Sequence, residues 1–156
     1  MKNHYSLYFT LLLSLLILPG CGKKAVQPPP TVVNVEIVTS DHLNPDDSGR
    51  ASPVSVRIYG LTSLGKFNAV DFFTLHDNPQ QALGDTLSMS DELHLKPASK
   101  KIYTHQLPQG TLYLGVVAAF RNIETAVWRD SVAVPAGRIT NFTVKLDADK
   151  VSMHVE

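Results

Sequence analysis

Apolar and polar positions alternate along most of the chain after residue 30. Val33, Val35 and Ile37 alternate with Asn34 and Glu36, and Val54, Val56 and Ile58 alternate with Ser55, Arg57 and Tyr59. A period of two gives an extended segment one apolar face, so both runs predict strands. The same reading predicts strands over 92–96, 101–107, 111–120, 125–134, 138–146 and 151–155, about eight in all. Residues 112–120 (LYLGVVAAF) are apolar on both faces, as expected of a central strand covered by an opposing sheet on one side and another element on the other. Residues 66–75 (KFNAVDFFTL) supply that cover: Phe67, Val70 and Phe73, with Phe72 adjacent, fall at helical spacing and predict a short helix after the second strand. Pro79, suited to the first position of a helix, begins a further turn over 80–83. Pro108-Gln109-Gly110, Pro135-Ala136-Gly137 and Asp147-Ala148-Asp149 are turn chemistry, and they pace 125–155 like consecutive hairpins. The pattern predicts a mainly β protein, a two-sheet β-sandwich over 31–156 with a small helical insertion after strand two.

The first thirty residues follow another rule. Lys2 precedes an apolar run over 5–18 (YSLYFTLLLSLLIL), the order of a signal peptide. As a helix that run spans about 21 Å against a hydrocarbon core of about 30 Å, which favours a cleaved signal over 1–20 rather than a permanent span. Leu18-Pro19-Gly20-Cys21 comes next. It resembles the lipobox of bacterial lipoproteins, in which the thiol is diacylated, the signal is cut before it and the new amine is acylated; Pro19 stands where Ala, Ser, Thr or Val is more usual. The resemblance makes Cys21 the lipidation residue. It also makes Gly22 a sorting residue for the outer membrane, since Asp there usually retains lipoproteins at the inner membrane of enteric-type bacteria. The other reading is a free thiol beside an ordinary cleavage site, because Gly20-Cys21-Gly22 also satisfies a small-x-small pattern. Residues 21–30, with Lys23, Lys24 and Pro28-Pro29-Pro30, form an extended spacer or tether.

At 156 residues the chain has room for one core. Fourteen Lys and Arg balance fourteen Asp and Glu, without the basic cluster that phosphate-backbone binding requires, so no nucleic-acid partner is expected. The single cysteine can form no internal disulfide and falls short of a structural zinc site. His42, His76, His94, His105 and His154 show no H-x-H or H-x-x-x-H spacing, and the nucleophile-elbow, phosphate-loop and dinucleotide fingerprints are missing. Neither catalysis nor a cofactor nor a metal is expected. Asp46-Asp47 and Asp91-Glu92 sit in turn-like segments where solvation or capping accounts for them.

Residues 40–53 (SDHLNPDDSGRASP) join two well-patterned strands with fourteen residues, where hairpins usually take about two to five. A long ordered loop often carries function, while a tolerated insertion costs little entropy, so from length alone both readings stand. Asn44-Pro45-Asp46, Gly49 and Pro53 predispose this one to order.

Leu43-Asn44-Pro45-Asp46, Gly49-Arg50-Ala51-Ser52-Pro53, residues 54–61 (VSVRIYGL), residues 67–73 (FNAVDFF), residues 113–121 (YLGVVAAFR) and Trp128-Arg129 follow one another in an order and spacing that resembles the TssJ (SciN-type) outer-membrane lipoproteins of type VI secretion systems. The resemblance implies a transthyretin-like β-sandwich with a helical insertion, lipid-anchored at the periplasmic face of the outer membrane. It implies a tether for the periplasmic C-terminal domain of TssM within the TssJ-TssL-TssM envelope complex, contacted by the loop between strands one and two. Carried over, that loop contributes Leu43, Asn44, Pro45, Asp46, Asp47, Gly49, Arg50 and Pro53: Leu43 as an apolar anchor, Asn44 as a directional polar one, and Asp46, Asp47 and Arg50 as rim charges. For Asn44 and Pro45, holding the shape of the loop is an equal alternative to direct contact. A competing class is a lipid-anchored periplasmic carrier with a small hydrophobic ligand inside its β-structure, which would need a cavity that Phe72, Phe73, Phe120, Trp128 and Phe142 are large enough to fill.

Overall fold

The alternating segments become eight strands: β1 (Thr31–Thr39), β2 (Val54–Leu61), β3 (Leu87–Leu95), β4 (Lys100–Leu107), β5 (Tyr113–Ala118), β6 (Arg129–Ala133), β7 (Ile139–Leu146) and β8 (Val151–Val155). The computed structural model describes residues 28–156. The signal segment, Cys21 and Gly22 lie outside the described residues, as does the tether before Pro28. Four strands make one sheet in the order β4-β1-β7-β8, and four make the other in the order β3-β2-β5-β6. β1 and β7 pair in parallel, with Val35 opposite Phe142; the remaining strand pairs are antiparallel.

Alternation decides which side chains meet. Val33, Val35 and Ile37 of β1, with Phe142 and Val144 of β7, pack in one cluster with Val54, Val56 and Ile58 of β2 and Leu114 and Val116 of β5. The second sheet is buried on its other face as well, where Tyr59, Leu61 and Val117 pack with Phe67, Leu75 and Leu83 of the helical insertion. This explains the unbroken apolar run of β5, whose odd and even positions serve different clusters.

The insertion consists of α1 (Gly65–Ala69), α2 (Phe72–Asp77) and α3 (Pro79–Leu83), followed by a 3-10 turn. Helices of five or six residues are unstable alone, so tertiary contacts must hold them. The Arg129 guanidinium donates to the carbonyls of Phe67 at 2.8 Å, Val70 at 2.7 Å and Asn68, groups that the end of α1 leaves unpaired. It lies 4.5 Å over the Trp128 ring. At the end of α2, Arg57 donates to the His76 carbonyl and the Tyr59 hydroxyl to that of Leu75. A Cβ on Gly115 would stand 2.9 Å from Phe67 and 3.1 Å from Leu61, so glycine in β5 makes the seat for the Phe67 ring.

The boundaries differ from the sequence pattern in instructive ways. The helix expected over 66–75 is two helices, because Asp71 is extended and its carboxylate accepts the Thr74 N–H at 3.0 Å as the cap of α2. The break turns Phe73 outward, 62% exposed, and the buried positions are Phe67 and Leu75. β3 begins at Leu87, five residues before the expected 92: Met89, Leu93 and Leu95 face the main core although Asp91 interrupts the apolar character, and a register shift opposite Gly60 and Leu61 turns Leu87 toward the helical insertion. Phe120 is buried, but in the loop after β5. Half-buried Trp128 precedes β6 and touches both clusters. β6 and β7 lie in different sheets, so only β7 and β8 form the expected hairpin.

Candidate docking site

The loops 40–53, 96–99, 119–128 and 147–150 gather at one end of the sandwich, opposite the end where the tether arrives at Thr31. The β1–β2 loop is fastened to its neighbours from the first residue. Ser40 donates its N–H to the Leu146 carbonyl and accepts from the Ala98 N–H, both at 2.9 Å.

Asn44 is the hub. It is buried and has φ of 46°, a left-handed conformation that asparagine tolerates better than most residues. Its backbone N–H donates to the Ala148 carbonyl at 2.9 Å, its side-chain amide donates to the Pro53 carbonyl at 2.9 Å, and its side-chain oxygen accepts the Arg121 N–H at 2.8 Å. One residue thus joins both ends of its own loop to the β5–β6 and β7–β8 connections. Below it the Ser52 N–H closes on the Leu43 carbonyl at 2.9 Å.

Beyond the hub, Asp46 organises the tip. Its carboxylate accepts the N–H groups of Ser48 and Arg50 and the Arg50 guanidinium, each at 3.0 Å. Gly49, at φ of 77°, returns its N–H to the Asp46 carbonyl at 2.8 Å. Donation from the Arg50 backbone, seconded by Ser48 and the Arg50 charge, holds the Asp46 carboxyl below its ordinary value. A carboxyl lowered on folding stabilises above its unfolded pKa, near 4, and that contribution is lost as pH falls through the folded value. Acidification below about pH 4 is therefore expected to loosen the tip before the sandwich, seen as shifts of the Ser48 and Arg50 amide resonances that Asp46→Asn produces at neutral pH.

The eight loop residues expected to meet a partner divide by position. Asp47, Gly49, Arg50 and Pro53 are exposed, and Pro45 and Asp46 are half-buried. Leu43 is fully buried in the core, so the expectation of a surface anchor is corrected: an apolar side chain next to a fastened hub turns inward and supports the loop from beneath. Asn44 spends its hydrogen-bonding groups inside the loop cluster, the second of its two readings. Asp46 and Arg50 are paired with each other rather than standing free at a rim. A groove of about 430 Å³ separates Pro45 and Asp47 from Phe120, Arg121, Asn122 and Asp149. Sequence reasoning missed the opposite wall; the turn chemistry of 147–149 and the arginine after Phe120 were visible, but only the fold brings them to Asn44. Among the described residues no group of three or more His, Cys, Asp or Glu could hold a metal ion, and no helix is long and apolar enough to cross a membrane.

Fold and loop end together define a small β-sandwich with a helical flank that presents a preorganised loop surface at one end. The chain belongs to the family described as type VI secretion lipoprotein, VasD, EvfM, TssJ, whose model matches residues 31–149. It is similar to the type VI secretion lipoprotein TssJ1 from Pseudomonas aeruginosa, with 34% identity and a TM-score of 0.79 over 82% of this chain and 98% of that one. Lip of Serratia marcescens, a membrane-bound component of the type VI secretion system, shares the fold at 21% identity and a TM-score of 0.75 over 81% and 98% of the two chains. So does a chain from the structure described as the TssM C-terminal domain (869–1107) from EAEC, at 16% identity and a TM-score of 0.66 over 80% and 98%. No curated protein sequence matches the chain.

Proposed function

We propose that this lipoprotein is held by acyl chains on Cys21 at the periplasmic face of the outer membrane and tethers the periplasmic C-terminal domain of TssM through its loop end, within a TssJ-TssL-TssM envelope complex. The observation that carries this reading is the polarity of the sandwich. The tether reaches Thr31 at one end, and the hydrogen-bonded β1–β2 loop stands at the other, nine β1 residues away, or about 30 Å at the usual rise of a strand. A domain anchored at the first end offers the second to a partner reaching across the periplasm. Membership in the family of type VI secretion lipoproteins supports the choice of partner.

The contact surface in this reading is the exposed part of the loop, Asp47, Gly49, Arg50 and Pro53, with half-buried Pro45 beside it and Asp46 setting their positions. A loop already hydrogen-bonded into one shape loses less entropy on docking. Gly22 directs sorting to the outer membrane. Cells fed labelled palmitate should incorporate it into the wild type and not into Cys21→Ser, and Gly22→Asp should move the protein to the inner membrane of an enteric-type host. Deleting the gene should stop secretion of the system's tube protein, with recovery by wild type but not by Cys21→Ser. A wild-type protein carrying no label, or secretion that survives the deletion, would remove the proposal.

A further inference from the structure

The end of the sandwich that receives the tether is itself built as a surface. It is made of residues 28–32, the β4–β5 turn at 108–112 and the β6–β7 turn at 134–139. Pro28, Pro29, Pro30, Leu112, Ala136 and Ile139 are exposed there, Leu112 by 47% and Ile139 by 68%. These three segments contain no Asp or Glu and carry Arg138, with Lys23 and Lys24 following in the tether. Asp85, on the neighbouring 3-10 turn, is paired with Lys66 at 2.9 Å. The opposite end holds Asp41, Asp46, Asp47, Glu124, Asp147 and Asp149 against Arg50, Lys96, Arg121 and Lys150, while at the tether side Glu156, whose N–H donates to the Asn141 carbonyl, lies two residues along β7 from Ile139.

The tether leaves this end seated against it. Thr31 accepts the Gly137 N–H on its hydroxyl at 2.9 Å, and Val32 donates to the Arg138 carbonyl at 3.0 Å. A Cβ on Gly137, where φ is +69°, would stand 3.2 Å from the Pro29 ring. The chain therefore departs along the β6–β7 turn. From Pro28 back to Cys21 the backbone reaches at most about 25 Å, and as a flexible coil its ends average about 15 Å apart.

Resting on the reading that Cys21 is acylated, we infer that this end of the domain lies against the bilayer surface, with Leu112, Ile139 and the proline face at the headgroup level and Arg138 toward anionic headgroups. Two features choose the bilayer as occupant: the length and exit point of the tether, and the charge distribution. A patch this small binds lipid weakly when free in solution, but a short tether makes the encounter intramolecular and raises the effective concentration of the surface. A basic residue near an anionic surface contributes attraction, while the far end, with six carboxylates against four cations, gains none. The result is orientation: the loop end points away from the membrane instead of swinging on its leash.

The test uses the mature lipoprotein reconstituted into vesicles of phosphatidylethanolamine and phosphatidylglycerol containing nitroxide-labelled lipid. Cys21, the sole native cysteine, is consumed by acylation, so one added cysteine carries a fluorophore at a chosen exposed position: Gln109→Cys or Ala136→Cys at the tether end, Ser48→Cys at the loop end. Quenching should be several-fold stronger at 109 and 136 than at 48. Arg138→Glu with Ile139→Asp, both at exposed positions and checked for an unchanged melting temperature, should bring quenching at 109 down to the level at 48 while the protein still floats with the vesicles. Equal quenching at 48, 109 and 136 in protein that floats would overturn the inference and leave the anchor reading intact; protein that does not float would overturn both.

Discussion

Asn44→Ala is expected to destabilise the domain by about 2–4 kcal/mol, a large effect for a loop residue. The substitution removes the donor to the Pro53 carbonyl and the acceptor of the Arg121 N–H, and leaves alanine at φ of 46°. Polar groups left unpaired in a partly buried place cost their desolvation without return, and the left-handed backbone, which asparagine tolerates better than alanine, adds up to about 1 kcal/mol. Asn44→Gly should recover the backbone part alone, and Asn44→Asp keeps the acceptor but not the donor. Urea midpoints for the three variants should fall in the order Asp and Gly above Ala. A midpoint for Asn44→Ala equal to wild type would mean that the loops hold together without the hub.

Phe67→Ala is expected to cost more, about 3–5 kcal/mol, the range for removing a buried aromatic ring. Phe67 is fully buried, meets the Tyr59 ring edge-on at 6.2 Å between centroids and fills the space above Gly115. Its loss leaves a void between the second sheet and α1, whose carbonyls then depend on Arg129 alone for their place. Phe73→Ala is the control: that ring is 62% exposed, and its removal should shift the midpoint little. If the two variants melt together, the insertion is only loosely attached to the sheet.

The sandwich was legible because burial of one face imposes a period of two on most of its segments, while β5, buried on both faces, showed as an unbroken apolar run. The helical flank was legible only in part. Phe72 and Phe73 are equal in the sequence, and it is the Asp71 cap, a single side chain bonding the Thr74 N–H, that restarts the helix and sends Phe73 outward. The β1–β2 loop announced itself by length and by its Pro, Gly and Asn residues, yet the inward turn of Leu43 could not be read there. Leu43 has no periodic neighbours, and its burial follows from the bonds that the adjacent Asn44 makes to Ala148 and Arg121, more than seventy positions away along the chain. Arg129 shows the same limit, since an arginine at the start of a strand gives no sign that it will close a helix some sixty residues earlier.

The most direct test of the account is binding of the periplasmic C-terminal domain of TssM to the folded domain, followed by calorimetry, before and after residues 45–51 are replaced by a Gly-Ser linker. The replacement spares Leu43, Asn44 and Ser52, so the bonds that close the base of the loop remain and the melting temperature should be close to wild type. The account predicts that the heat of binding disappears. Wild-type affinity in the folded, tip-replaced domain would contradict it and move the interface to another surface of the sandwich.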